Sequence, residues 1–341
     1  MKILVTGGLG YIGSHTVVEL INSGNKVIIV DNLVKSNLNV LKSIEKITGF
    51  LPEFEQFDIT NSEKTADFFN RNNDIIGIIH FAAYKYVGES VENPILYYQN
   101  NLISLINILD EMKKHNIKNI VFSSSCTVYG QPDISPVNEN SPVKPAVSPY
   151  GNTKQISEEI IRDCTNSYPI KAISLRYFNP IGAHESALIG QLPEDITQNL
   201  VPYITEVAIG SKNQLNVFGN DYNTPDGTCI RDYIHVVDLA KAHVASVARM
   251  LDNKGKSNYE IFNIGTGIGY SVMEIIKTFE KVSGIKLNYI IKNRRPGDAE
   301  KIWADTSLAK KELKWEAEKS LTDMVGSAWK WQQYLDKINY Y

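Results

Sequence analysis

Tyr150 and Lys154 lie four residues apart in SPYGNTK, downstream of a serine triplet, Ser123-Ser124-Ser125. On a helix that spacing puts the phenol and the ammonium on one face. A free tyrosine has a pKa near 10, so a base working near pH 7 requires a drop of about 3 units, roughly 4 kcal/mol. One cation about 4 Å away at an effective dielectric of 20 supplies about that much. Beside a nicotinamide, whose own cation would add more, such a pair can take the proton of an alcohol as its hydride leaves. A serine hydroxyl would hold the alcohol oxygen in line. The same spacing is common on exposed helices, so the pair gains meaning only if the chain also has a place for the nicotinamide.

That place is predicted at Met1 to Ser14, MKILVTGGLGYIGS. Lys2 to Thr6 is a short apolar run that reads as a buried strand. Gly7, Gly8, Gly10 and Gly13 follow, satisfying both G-x-G-x-x-G and G-x-x-G-x-x-G. A side chain at Gly8 or Gly10 would block the turn or the approach of a pyrophosphate, and Gly13 lets the next helix lie close to the strand. Ile12, Val17, Val18, Leu20 and Ile21 give that helix an apolar face, and its free N–H groups and positive dipole end attract a diphosphate. A second strand, Lys26 to Val30, ends in Asp31, where the dinucleotide fingerprint places the carboxylate that bonds the adenosine ribose. An acid there repels a 2′-phosphate, so the predicted cofactor is NAD rather than NADP.

The elements around these residues alternate. Strands are predicted at Glu53 to Ile59, Gly77 to Ala83, Asn119 to Ser124 and Lys171 to Tyr177. Helices are predicted near Leu38 to Thr48, Ser62 to Asn72, Asn93 to His115 and Tyr150 to Asn166. Continuous apolar character in the strands means that both faces are covered, as in a parallel sheet. The fold class is therefore α/β, a doubly wound parallel (Rossmann) sheet with a smaller C-terminal α/β substrate-binding domain. Residues 1–180 form the cofactor domain, 236–265 return to it, and the rest of 181–341 forms a cap over the carboxyl ends of the strands, where ligands of open α/β sheets bind.

Composition narrows the class. With 341 residues, 43% hydrophobic and 21% charged, the chain can bury a substantial core. A net charge of −3 gives no reason to expect nucleic acid or an anionic membrane as partner. Cys126, Cys164 and Cys229 are far apart with no C-x-x-C, which argues against a disulfide framework or a zinc site and for a reducing compartment. No apolar run reaches 18 residues and the N-terminus shows no leader, so a cytoplasmic protein is expected.

Beyond these readings, TGGLGYIGSH, Asp31-Asn32-Leu33, HFAAYK, SSSCTVYG, SPYGNTK, RYFNPIGAH, FGNDYNTPDGTCIRDYIHV and RRPGD together resemble the UDP-glucose 4-epimerases (UDP-galactose 4-epimerases), extended short-chain dehydrogenase/reductases. The resemblance covers nearly the whole chain. It implies tightly bound NAD held through Gly7, Gly10, Tyr11, Ile12, Gly13, Asp31, Asn32, Asp58 and Ile59. Phe81, Ala82, Ala83, Lys85, Asn100, Ser125, Tyr150, Lys154 and Phe178 complete that set. It further implies that Tyr150 takes the proton of the sugar 4-hydroxyl and that a 4-ketopyranose turns over before hydride returns to its other face. Ser125 would orient the oxygen, while Lys154 would tune Tyr150 and bond the nicotinamide ribose. On the UDP side, Asn179, Asn199 and Leu200 are implied around the diphosphate and nucleotide, and Asn216, Val217 and Phe218 around the uracil. Arg231 and Arg295 are implied at the phosphates and Asp298 at a ribose. A buried diphosphate needs cations, and arginine offers a fork of donors. UDP-glucose and UDP-galactose are the expected partners of a homodimer built on the Asn93–His115 and Tyr150–Asn166 helices.

Three positions depart from the pattern. Lys35 replaces an Asn beside the adenosine ribose, and Tyr86 replaces a small residue, expected near the sugar. Ile302 stands where Tyr marks plain hexose enzymes and small residues mark those accepting N-acetylated sugars. Two other functions share this fold. A sugar-nucleotide 4,6-dehydratase needs a carboxylate acid–base pair after the strand-end serine, where this chain has Cys126 and Thr127. An NAD-sensing regulator would not need Tyr150 and Lys154.

Overall fold

The apolar run at the N-terminus becomes β1 (Lys2–Thr6) in the computed structural model, which describes residues 1–193, 199–295 and 298–340. After it come α1 (Tyr11–Asn22), β2 (Val27–Asp31), α2 (Asn39–Thr48), β3 (Glu53–Gln56), α3 (Ser62–Arg71) and β4 (Ile75–His80). Then follow α4 (Val87–Glu92), α5 (Pro94–Lys114), β5 (Asn119–Ser125), α6 (Pro149–Ser167) and β6 (Lys171–Tyr177). The C-terminal half holds β7 (Asn179–Ile181), α7 (Leu200–Ile209), β8 (Leu215–Phe218), β9 (Ile230–His235), α8 (Val236–Leu251) and β10 (Tyr259–Ile264). Last are β11 (Gly269–Ser271), α9 (Val272–Ser283), β12 (Tyr289–Lys292), β13 (Lys301–Ile302), α10 (Ser307–Glu312) and α11 (Leu321–Lys337).

Seven of these strands form one parallel sheet in the order β3-β2-β1-β4-β5-β6-β10. Alternate residues of β1 serve opposite layers. Ile3 and Val5 pack with Val17, Val18 and Leu20 of α1 and with Leu239 of α8. Leu4 packs with Phe68 and Phe69 of α3 and with Leu105 and Ile108 of α5. Strands covered on both sides explain the unbroken apolar runs. The chain reverses direction across the sheet between β1 and β4, so a crevice opens above their carboxyl ends, the usual ligand site of such sheets.

The smaller unit is built from β7, β9, β11 and β13 in one sheet and β8 with β12 in another, packed on α7, α9 and α11. Residues that a sequence pattern marks as loop are strands here. In β9 the charged Asp232 is fully buried, because Thr266 N and Oγ1, Gly267 N and Ala304 N all donate to its carboxylate. Two further boundaries differ from expectation. β3 stops at Gln56, and β4 runs Ile75–His80 because Phe81 to Ala83 leave the sheet to line the crevice. A short helix, α4, precedes the long α5, where one helix was expected.

Candidate active site

One cleft of about 1350 Å³ spans the carboxyl edge of the large sheet and the smaller unit. All the cofactor and substrate residues singled out from the sequence line it, from Gly7 at one end to Arg295 at the other. They come together there from strand ends and loops across the whole chain.

At the first end, Gly7 has φ +67°, and a Cβ on it would come within 2.9 Å of Ala82 N. A Cβ on Gly13 would sit 2.2 Å from Gly7 O, so α1 can rest on the turn only because residue 13 is glycine. Gly10 is different: its φ is −71°, and an added Cβ meets nothing closer than 3.2 Å, so what it leaves is room above the turn. Gly10 is the N-cap of α1 and offers no side-chain cap, and the first turn holds no acidic residue. Those N–H groups therefore suit a diphosphate. Tyr11 Oη donates to Gly182 O at 2.6 Å, tying this helix to the start of the smaller unit. Asp31 ends β2 with its carboxylate fixed by Leu9 N (3.1 Å), Leu33 N (2.9 Å) and Ser36 Oγ (2.8 Å). Asn32 donates to Asp58 at 3.0 Å. Burial works against the Asp58 charge, but hydrogen bonds from Thr60 and Asn32 outweigh it and hold the carboxyl below its usual range. The Phe81 and His243 rings lie 4.7 Å apart, tilted at 52°, and Asn100 donates to Asn101 at 2.9 Å. The open glycine turn, the uncapped helix and the strand-end acid fit NAD.

In mid-cleft, Ser148 Oγ caps α6 by accepting from Gly151 N at 3.2 Å, and Pro149 opens the first turn. The cap places Tyr150 at the start of the helix, so Tyr150, Lys154 and Glu158 follow at successive intervals of four on one face. Lys154 Nζ donates to Ser123 O at 2.6 Å and lies 5.8 Å from the Tyr150 ring centroid. Ser125 ends β5, its hydroxyl accepts from Thr127 N at 3.2 Å, and it lies close enough to Tyr150 to act on the phenol. Glu158 accepts from Ser124 Oγ at 2.6 Å and from both Arg176 Nε (2.9 Å) and Nη2 (2.6 Å). Sequence reasoning missed Glu158 and Arg176. Continuing the i, i+4 interval one step past Lys154 would have found the glutamate.

The electrostatics of the pair differ from the sequence-based expectation. Burial pushes the Tyr150 phenol well above its ordinary value, Tyr177 adds to the push, and the Ser125 hydrogen bond works against it. Burial also pulls Lys154 from 10.5 to about 7, against the raising effect of Glu158. Lys154 alone therefore does not make Tyr150 a base, because desolvation penalises both charges. The further positive charge must arrive with the cofactor. This has a measurable consequence in nucleotide-free protein. With a folded pKa near 7 and an unfolded value of 10.5, Lys154 burdens the fold fully below pH 7 and not at all above 10.5. Lys154→Met is thus expected to stabilise nucleotide-free protein by about 1–4 kcal/mol at pH 6, the range for removing buried charges, and to abolish nucleotide retention. A melting-temperature difference that did not shrink between pH 7 and pH 10 would contradict the buried-cation account.

At the far end, Asp298 lies between two arginines. Arg295 Nε donates to it at 3.0 Å and Arg231 Nη2 approaches to 3.6 Å. Arg295 also covers the Phe218 ring at 4.9 Å. Asn216 and Phe218 border the cleft, whereas the Val217 side chain is buried in the core of the smaller unit, leaving its backbone to the cleft. Asn199 opens α7 without capping it, Leu200 packs partly into the same core, and Asn179 begins β7. Ile302 in β13 is in register with Arg231 and packs with Phe178, Val128 and Tyr129. Pro296 and Gly297 of the RRPGD motif lie outside the described residues. Tyr86, expected near the sugar, lines the cleft with the ammonium groups of Lys35 and Lys85 5.4 and 5.1 Å from its ring centroid.

Residues 4–328 match the family model described as GDP-mannose 4,6 dehydratase. The UDP-glucose 4-epimerase of Bacillus subtilis (strain 168) is 49% identical over 333 residues, 97% of each chain. The crystal structure of UDP-glucose-4-epimerase from Stenotrophomonas maltophila with bound NAD and formylated UDP-arabinopyranose superposes with a TM-score of 0.95 at 44% identity, covering 99% of both chains. That of the Bifidobacterium longum enzyme in complex with NAD+ and UDP gives 0.93 at 48% identity, covering 98% of both.

Proposed function

The chain belongs to the UDP-glucose 4-epimerases, and on that premise we propose how its own residues carry the reaction. It is an isomerase that epimerises C4 of UDP-hexoses, interconverting UDP-glucose and UDP-galactose through a transient 4-keto sugar. Bound NAD supplies the acceptor and donor of the C4 hydride. Tyr150 Oη takes the proton of the 4-hydroxyl and returns it after the sugar has turned, with Ser125 holding the oxygen in line. Lys154, anchored on Ser123 O, sets the charge behind the phenol. Arg231 and Arg295 hold the diphosphate, exchanging part of their pairing with Asp298 for it. A single observation carries this division of labour: the Tyr150–Lys154 pair lies in one cleft between the glycine turn and the two arginines. Incubating purified protein with UDP-galactose, without added NAD, tests it by the appearance of UDP-glucose. A protein carrying NADP, or inert without it, would overturn the cofactor assignment.

The breadth of the matching family model makes 4,6-elimination the alternative, and the site argues against it. Cys126 and Thr127 follow Ser125, and burial pushes the Cys126 thiol up to about 12, which leaves no acid–base pair there.

Sugar choice rests on Ile302, which is buried at the cleft wall. An acetamido group adds several heavy atoms, and overpacking of that kind costs about 1–3 kcal/mol. UDP-N-acetylhexosamines are therefore expected to turn over about tenfold or more slowly than UDP-galactose, about 1.4 kcal/mol. Ile302→Gly should narrow the gap and Ile302→Tyr widen it, with equal kcat/KM for both sugars in the native protein as the contrary result.

A homodimer fits the exposed apolar side chains of α5, where Ile95, Leu96, Ile103 and Ile106 all stand open to solvent. Together with α6 they would form the shared face, and sedimentation as a monomer would rule this out. Among the described residues no helix is long and apolar enough to cross a membrane, and the three cysteines are free. We place its action in the cytoplasm, in galactose metabolism, where UDP-galactose and UDP-glucose are interconverted.

A further inference from the structure

Two of the positions that depart from the family pattern, Lys35 and Tyr86, meet in space. Lys35 lies in the loop after β2 and Tyr86 in the loop after β4, and these two strands flank β1 in the sheet. Their loops therefore rise on either side of the glycine turn. Lys35 Nζ lies 5.4 Å from the centroid of the Tyr86 ring, and Lys85 Nζ 5.1 Å from the same ring. Tyr86 is only 8% exposed, and its position is set from the helices behind it. Its N–H donates to Tyr97 Oη at 2.9 Å, and that hydroxyl donates to Glu89 at 2.6 Å.

Lys35 is the only cationic residue between Asn32 and Val40, so it is the one group on this loop that could pair with a 2′-phosphate. In doubly wound dinucleotide sites a strand-end acid reads the ribose hydroxyl, whereas a cation nearby accommodates the phosphate of NADP. Here both kinds of residue are present four positions apart. Asp31 is fixed in place by Leu9, Leu33 and Ser36, and the Lys35 ammonium is drawn to the ring. The buried, fixed Tyr86 ring offers the Lys35 ammonium a preset cation–π site, and drawing the ammonium to a 2′-phosphate would forfeit that contact.

We propose that Tyr86 is a cofactor-discriminating residue: it keeps the Lys35 ammonium on its ring and away from a 2′-phosphate, leaving Asp31 to select NAD. The proposal rests on the NAD reading of the cleft and explains how a lysine on the β2 loop is compatible with it. The test is calorimetric titration of nucleotide-free protein with NAD+ and with NADP+, in the native protein, Tyr86→Leu, Lys35→Gln and the double variant. Tyr86→Leu is expected to shift the ratio of affinities toward NADP+ at least fivefold, and the double variant should return it to within twofold of native. Lys35→Gln alone should leave the native ratio within twofold, since its charge is already withheld. A ratio unmoved by Tyr86→Leu would overturn the proposal, as would a shift that survives removal of Lys35. So would a Lys35→Gln variant that weakens NADP+ binding in the native background, a result that does not depend on how well Tyr86→Leu folds. A native protein that preferred NADP+ would instead overturn the NAD reading itself, and this proposal with it.

Discussion

Replacing Tyr150 with Phe is expected to lower turnover at least about 10²-fold, the share of a positioned general base, while UDP binding is largely kept. The substitution removes one oxygen and leaves the ring that packs beside Ser125, so the diphosphate site formed by Arg231 and Arg295 is untouched. The site's electrostatics make the result a sharp one. Without ligands the phenol is pushed above its ordinary value by burial, so the neutral hydroxyl is the resting state. Proton transfer then depends on charge brought into the cleft. Near-normal turnover in Tyr150→Phe would remove Tyr150 from the mechanism. A large loss accompanied by equal loss of UDP affinity would make it a packing residue instead.

The second large effect concerns Glu158, which touches no ligand. Its carboxylate and the Arg176 guanidinium are 4% and 3% exposed, joined by two hydrogen bonds that tie α6 to β6, with Ser124 tying the same carboxylate to β5. Arg176 also stacks on Tyr129 at 4.9 Å. Glu158→Leu would leave the guanidinium buried without its anion, a loss of about 3–5 kcal/mol. Arg176→Met added to it should recover most of that stability, because a buried pair replaced as a unit is near neutral. Chemical denaturation of the single and double variants reads this directly. Additive losses in the double variant would show that packing, not charge pairing, is what matters there. Since α6 carries Tyr150 and Lys154, the recovered double variant should still show altered pH dependence, as the Glu158 charge that supports Lys154 is gone.

These two residues show where sequence reading stops. Tyr150 and Lys154 are legible because their spacing is local, set by helical geometry within one segment. Gly7, Gly13 and Asp31 are legible for the same reason, since a strand, a tight turn and a helix follow one another without a long connection. Glu158 is equally local, but its meaning depends on Arg176, which comes from a different strand. The strands of the smaller unit escaped notice because they are short, two to six residues each, and lie among Gly, Asn, Asp and Pro. β9 contains Arg231 and Asp232, and Asp232 is tolerable in a core only because Thr266, Gly267 and Ala304 converge on it.

By itself the sequence determined the doubly wound sheet, the place of the dinucleotide and the proton-transfer pair, since each is written in side-chain period, glycine position or i, i+4 spacing. The tertiary structure alone decided three other matters. It decided the protonation balance of the pair, because burial and not the nearest charge dominates when both groups are desolvated. It set Asp298 between Arg231 and Arg295, so that the diphosphate site holds two cations against one carboxylate and keeps a net positive charge for a ligand. And it brought Tyr86 across the cleft to Lys35, a contact between loops that no spacing in the chain encodes, because only the order of β2, β1 and β4 in the sheet makes them neighbours.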